Sequence, residues 1–175
     1  LYHGEDISRR SMDRICKKGI AKTFQQTSSF PGMTARECVM IGSLFGNGRR
    51  INMDSAGEEA AMHLERVGFP RDRIDKPLSN LNVIELRRTQ LARALASRPK
   101  ILLLDELMTG LNPSEGTEAI GLIHDLRESG ITIVMIEHVM RVILGVSDRI
   151  VVLDHGEKIA EGSPDEVVRD RRVIE

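Results

Sequence analysis

The sequence predicts an α/β fold, a mostly parallel sheet carrying a helical insertion within one domain of ordinary size. Three observations predict it. Residues 101 to 104 are four consecutive large apolar residues after Pro99, a run short enough for a strand and apolar on both faces, as the central strand of a covered parallel sheet is. A second run rich in β-branched residues, 131 to 136, follows after one helical stretch, and this alternation fits parallel strands joined by right-handed crossovers. Between an early strand at residues 20 to 24 and residue 101, helical patterns follow one another with no strand between them, which marks an insertion in the core.

Each element has its own local signal. Residues 4 to 8 form a turn, and residues 9 to 18 have helical spacing, with Met12 and Ile15 on one side and Gly19 as the C-cap glycine. The strand at 20 to 24 runs into the polar loop Gln25, Gln26, Thr27, Ser28 and Ser29, closed by Pro31 and Gly32. Thr34 with Glu37 has capping-box spacing and opens a helix whose apolar face is Val39, Met40, Ile41, Leu44 and Phe45. Residues 46 to 54 are an exposed loop. Ser55 and Glu58 repeat the capping-box spacing at the head of a helix that runs to Val67 and stops at Gly68. Pro70 and Pro77 bracket a charged connector, and Asn82 with Glu85 opens a long helix to Ser97, ended by Pro99. Beyond the central strand, Asn112 caps a helix whose first residue is Pro113 and which stops at Gly130. Residues 140 to 144 give a short helix. Residues 149 to 153 and 158 to 160, joined by Asp154, His155 and Gly156, form a hairpin expected at an antiparallel edge of the sheet, and Ser163-Pro164-Asp165-Glu166 opens a last short helix.

Bulk properties exclude several classes. With 25 Lys and Arg against 26 Asp and Glu, nothing global points to nucleic acid or to an anionic membrane surface. Cys16 and Cys38 lie far apart and outside any CxxC spacing, which suits a reduced cytoplasmic protein without a disulfide framework or zinc site. No apolar run approaches the roughly 18 residues of a spanning helix, and no signal-peptide pattern opens the chain. The first six residues, Leu1 to Asp6, have the pattern of a strand end entering a turn, so the natural beginning is expected upstream of Leu1.

The central strand ends in two adjacent acids, Asp105 and Glu106. One reading is a charged strand exit. The other is chemical: open α/β sheets place ligands at the carboxyl ends of their strands, where neighbouring carboxylates can serve a hydrated metal and an attacking water.

The ordered set resembles the ATP-binding subunits of ATP-binding-cassette transporters, most of all the branched-chain amino acid importer type. Ile101-Leu102-Leu103-Leu104-Asp105-Glu106 matches the Walker B strand, Gly110-Leu111-Asn112-Pro113 the D-loop, His138 the switch histidine, and Thr23-Phe24-Gln25 the Q-loop. Leu91-Ala92-Arg93-Ala94-Leu95 and Glu161-Gly162-Ser163-Pro164-Asp165-Glu166 also fit. The resemblance covers essentially the whole chain and implies a P-loop NTPase core. Residues about 32–97 would be its helical and signature subdomain, and 1–31 with 98–175 parts of its catalytic core. It implies ATP and Mg²⁺ as cofactors, a second ATPase subunit and transmembrane permease subunits as partners, no nucleic acid, and a cytoplasmic place on the inner face of the cell membrane.

The same resemblance implies roles for residues. Asp105 would hold Mg²⁺ through water, and Glu106 would take a proton from, or orient, the attacking water. His138 would hold that water in line, Gln25 would contact Mg²⁺ or water, Asn82 would belong to the nucleotide-facing signature, and Asn112 would both cap its helix and touch a dimer partner. Without the resemblance, Gln25 is a polar loop residue like Gln26, and His138 a surface or capping histidine.

Two departures stand against the pattern. The phosphate loop G-x-x-x-x-G-K-[ST] is absent from these 175 residues, and Lys22-Thr23 is the entry to the Q-loop, with Cys16 where the first glycine would stand. On its own the chain is therefore expected to bind ATP weakly and to hydrolyse it hardly at all. The signature Leu-Ser-Gly-Gly-Gln is replaced by Leu81-Asn82-Val83-Ile84-Glu85, a register preferred over Leu78-Ser79-Asn80-Leu81-Asn82. These departures keep a second reading open, a non-hydrolytic docking module. A chromosome-type or DNA-repair ATPase is disfavoured because the insertion holds no long coiled coil.

Overall fold

The structure, a computed structural model, describes residues 1–23, 30, 32–46, 48–106 and 110–174. The chain divides into two compact units, Leu1–Leu107 with Leu126–Ile136, and Met108–Asp125 with Glu137–Glu175. Among the described residues no helix is long and apolar enough to cross a membrane.

In the first unit a parallel three-stranded sheet has the order β1 (Ile20–Lys22), β2 (Ile101–Asp105), β3 (Thr132–Ile136). The apolar run at 101 to 104 is its middle strand, with Leu102 opposite Ala21 on one side and Ile133 on the other. Alternation then sorts the side chains. Ala21, Thr23, Leu102 and Leu104 point to the buried face. Lys22, Leu103, Asp105, Val134 and Ile136 share the opposite one, where Val134 is 53% and Ile136 64% exposed. The sequence predicts a sheet buried on both faces; the described residues bury one face better, with Leu102 and Leu104 fully inside and Ile133 and Met135 half-buried, and leave the other more open.

A short α1 (Met12–Lys17) precedes β1 and is followed by Gly19 at φ +90°, so the predicted stop holds although the helix is shorter than its periodicity suggests. Three helices separate β1 from β2: α2 (Ala35–Phe45), α3 (Met53–Arg66) and α4 (Val83–Ala96), with α2 packed against both others. Their seam is built from small residues. A Cβ placed on Gly42 would stand 2.2 Å from the Arg93 carbonyl oxygen, so glycine permits the close approach of α2 to α4. That seam runs through Ala35, Cys38, Val39 and Gly42 and leaves Phe45, predicted for the apolar face, exposed at the helix end.

The caps of α2 and α4 agree with the sequence, and that of α3 does not. Thr34 and Glu37 form a full capping box on α2, as do Asn82 and Glu85 on α4. The head of α3 is not Ser55. Asn52 caps it, accepting the Ser55 N–H at 2.8 Å, because an asparagine side chain competes well for the cap and Asp54 then joins a favourable first turn. A short 3₁₀ turn, Arg71–Arg73, lies in the proline-bracketed connector, and a second, Leu78–Asn80, follows Pro77.

Most of α5 (Pro113–Glu128), up to Asp125, belongs to the second unit, and its N-terminal end is closed by Asn112 and Glu115 through two hydrogen bonds of 2.8 and 2.9 Å. The second unit also holds α6 (Met140–Val146), β4 (Ile150–Asp154), β5 (Glu157–Gly162), α7 (Pro164–Val167) and α8 (Arg171–Ile174). β4 and β5 form the predicted hairpin, turned by His155 at φ +47° and Gly156 at φ +85°, the pair of positive φ values that a tight two-residue turn needs. The expected edge strand is instead a separate two-stranded sheet, each of its strands pairing with the other among the described residues.

Candidate functional site

The carboxyl end of β2 is where the two acids emerge. The backbone there is pinned from both neighbouring strands: Thr23 N–H donates to the Leu103 carbonyl at 2.9 Å, and Glu106 N–H donates to the Ile136 carbonyl at 3.0 Å. The hydroxyl of Thr23, itself buried, accepts the Asp105 N–H at 3.3 Å. The exit of the strand is thus fixed in place, as a site needs if its carboxylates are to be aimed.

Asp105 and Glu106 leave this point differently. Asp105 continues the strand on the more open face, where its Oδ2 meets the Lys22 Nζ at 3.2 Å. Glu106 turns sharply, with φ +47°, a left-handed backbone that costs a non-glycine residue about 1 kcal/mol or more and concentrates at functional turns. The backbone therefore changes course between the two acids, from extended at Asp105 to left-handed at Glu106, at one fixed point.

The described residues fit a hydrated cation better than an all-protein cage. No group of three or more His, Cys, Asp and Glu gathers among them in a metal-holding arrangement. A partly exposed Asp105 carboxylate matches the way Mg²⁺ is usually held, by one or two carboxylates with water and phosphate filling the rest. The described residues hold no glycine-rich cradle for phosphates, so the nucleotide itself has no site that they complete.

The other residues singled out by sequence are placed as follows. Gln25 lies outside the described residues. Asn82 belongs to the first unit as the N-cap of α4, with its Oδ1 taking the Glu85 N–H at 2.9 Å and its own N–H given to Glu85 Oε2 at 2.9 Å. Asn112 and His138 belong to the second unit, Asn112 as the cap of α5 and His138 exposed two residues before α6. Sequence reasoning missed Lys22 and Thr23 as neighbours of Asp105. Two-residue alternation from Ala21 sets Lys22 and Thr23 on opposite faces of their strand, but that this strand pairs with β2 beside the acids is a long-range property that alternation does not give.

Known proteins match this chain over most of its length. The family described as ABC transporter matches residues 1–109, and that described as branched-chain amino acid ATP-binding cassette transporter matches residues 157–175. The chain is 35% identical over 174 residues to the high-affinity branched-chain amino acid transport ATP-binding protein LivG of Salmonella typhimurium, covering 92% of this chain and 68% of that protein. BraF of Pseudomonas aeruginosa, of the same description, is 34% identical, with 98% and 72% covered. The lipopolysaccharide export system ATP-binding protein LptB of Haemophilus influenzae is 33% identical, with 99% and 70% covered. Among solved structures, the ATP-binding cassette MJ1267 of an ABC transporter superposes with a TM-score of 0.82 at 25% identity, over 97% of this chain and 72% of that one. A dimeric post-hydrolysis state of the cassette MJ0796, bound to ADP and Pi, gives 0.80 at 26% identity, over 88% and 68%.

Proposed function

The chain belongs to the ATP-binding-cassette transporter family as an ATP-binding subunit, and from that premise we propose that it powers an importer of branched-chain amino acids by hydrolysing ATP. The observation that carries the proposal is the fixed end of β2, where Asp105 and Glu106 emerge from a backbone pinned by Thr23 and Ile136. The amino-acid assignment is supported by the LivG and BraF likeness and by the branched-chain family match at residues 157–175.

In this reading residues about 32–97 serve as the helical and signature subdomain, and 1–31 with 98–175 as parts of the catalytic core. Bound Mg·ATP supplies the phosphoryl group and a cation that neutralises its charge. Asp105, with Gln25, holds that cation through water. Glu106 takes the proton of a water at the strand end, and His138 orients the same water. Asn112 and Asn82 face a second ATPase subunit; a dimeric state of the similar cassette MJ0796 supports pairing of two such subunits. The transmembrane permease subunits receive the motion of α2 to α4, which places the protein on the inner face of the membrane.

Reconstitution of the complete subunit with its membrane partners in proteoliposomes tests the proposal. ATP hydrolysis should rise with leucine, isoleucine or valine and fall by about a hundredfold or more in Glu106→Gln. Stimulation by a lipid substrate instead would favour a lipid exporter, which the likeness to LptB supports. Turnover undiminished in Glu106→Gln would remove that residue from catalysis.

A further inference from the structure

Lys22 ends β1 in register with Leu103, and alternation sets it with Leu103 and Asp105 on one face of the sheet. Its ammonium reaches along that face to Oδ2 of Asp105 at 3.2 Å, the two side chains being 37% and 25% exposed. The reach is set by strand pairing, because Thr23, the next residue, is locked to Leu103 and Asp105 by hydrogen bonds of 2.9 and 3.3 Å. A lysine on a loop could swing away freely; this one starts from a backbone held beside its partner.

We propose that Lys22 is a resident counter-ion of Asp105, a positioning residue that neutralises and aims the carboxylate until a divalent cation displaces it. The inference rests on the reading of Asp105 as the cation-holding residue. An ion pair this exposed is weak, so a divalent ion with twice the charge and a tighter shell of oxygens replaces it. The displaced ammonium stays tethered nearby and repels the arriving cation. Lys22 therefore lowers the affinity of the site for metal and keeps Asp105 from standing as an isolated charge in the cation-free chain.

Titrating the full chain with Mn²⁺, and counting the free ion by electron paramagnetic resonance, tests this without any nucleotide. Lys22→Met should bind Mn²⁺ about three- to tenfold more tightly than the parent. Lys22→Arg, which keeps the charge, should stay close to the parent, and Asp105→Asn should remove the site. Lys22→Gln serves as the neutral variant if the methionine chain does not fold. Equal affinity in the parent and both neutral variants, with the site still lost in Asp105→Asn, would overturn the counter-ion role alone. Unchanged binding in Asp105→Asn would instead overturn the cation-holding reading, and this inference with it.

Discussion

Glu85 and Arg73 form an ion pair, 2.5 Å from Oε1 to Nε, with the glutamate side chain 8% exposed. The same carboxylate accepts the Asn82 N–H at 2.9 Å through Oε2, so one acid both caps α4 and fastens it to the 3₁₀ turn at Arg71–Arg73. Arg73 is further held by its own donation to the Asn80 carbonyl at 2.8 Å. Glu85→Ala should remove the side-chain half of the capping box and leave the guanidinium without its acid, lowering stability by about 1–3 kcal/mol in urea unfolding. Glu85→Gln, which keeps an oxygen for the cap, should lose roughly half as much. Equal losses would show that the charge adds nothing beyond the cap.

The contact of α2 with α4 makes a second prediction. A methyl group at Gly42 would press on the Arg93 carbonyl and on Ala96, both backbone or short side-chain atoms that cannot swing aside. Gly42→Ala gains helix propensity, yet should lose about 1–3 kcal/mol through overpacking. Gly57, whose Cβ would meet nothing within 4 Å, is the control: Gly57→Ala in the middle of α3 should stabilise by about 0.5–1 kcal/mol. A neutral or stabilising Gly42→Ala would mean that the helices can separate at little cost.

The sequence made the layout legible wherever a short-range signal decides the structure. Capping boxes at Thr34 and Asn82, stop glycines after α1 and α5, and the apolar run of β2 are local facts that packing confirms. Ser55 misled because Asn52 offered a better cap three residues earlier, a competition that spacing alone does not rank. Phe45 misled because helix periodicity marks apolar residues, whereas close packing was decided by the absence of a side chain at Gly42. The pair of acids at the end of β2 was legible, but the Lys22 partner was not, since register between β1 and β2 is a long-range property.

Acidification tests the environment of His63 on α3. Burial pushes its imidazole pKa below the ordinary value of 6.5, Glu59 opposes the shift, and Arg66 and Arg98 reinforce it. The folded chain then binds the His63 proton less readily than the unfolded chain does. Stability should therefore fall as the pH drops through about 6.5 and level off below the folded value. In His63→Gln that step, followed by thermal melting between pH 7.5 and 5, should shrink while the remaining acid dependence persists. A step of the same size in the variant would assign it to other groups.

The altered signature bears on how two subunits divide their work. Val83 and Ile84 occupy the first turn of α4, and Val83 is 60% exposed there, so a branched side chain projects where a signature glycine would leave only backbone. The helix begins right after Asn82. On the proposal that the signature serves a nucleotide held by the second subunit, these side chains weaken the partner's site and leave the site carried by Asp105 and Glu106 competent, giving an asymmetric pair. Replacing both residues by glycine should cost about 1–2 kcal/mol of stability through helix propensity alone. It should also raise ATP turnover of the assembled pair by roughly tenfold, as newly exposed backbone donors come within reach of developing phosphate charge. Unfolding and turnover are measured on the same preparation. A pair that loses the stability but gains no turnover would show that Val83 and Ile84 are not what limits the second site, and the asymmetric arrangement would lose its support.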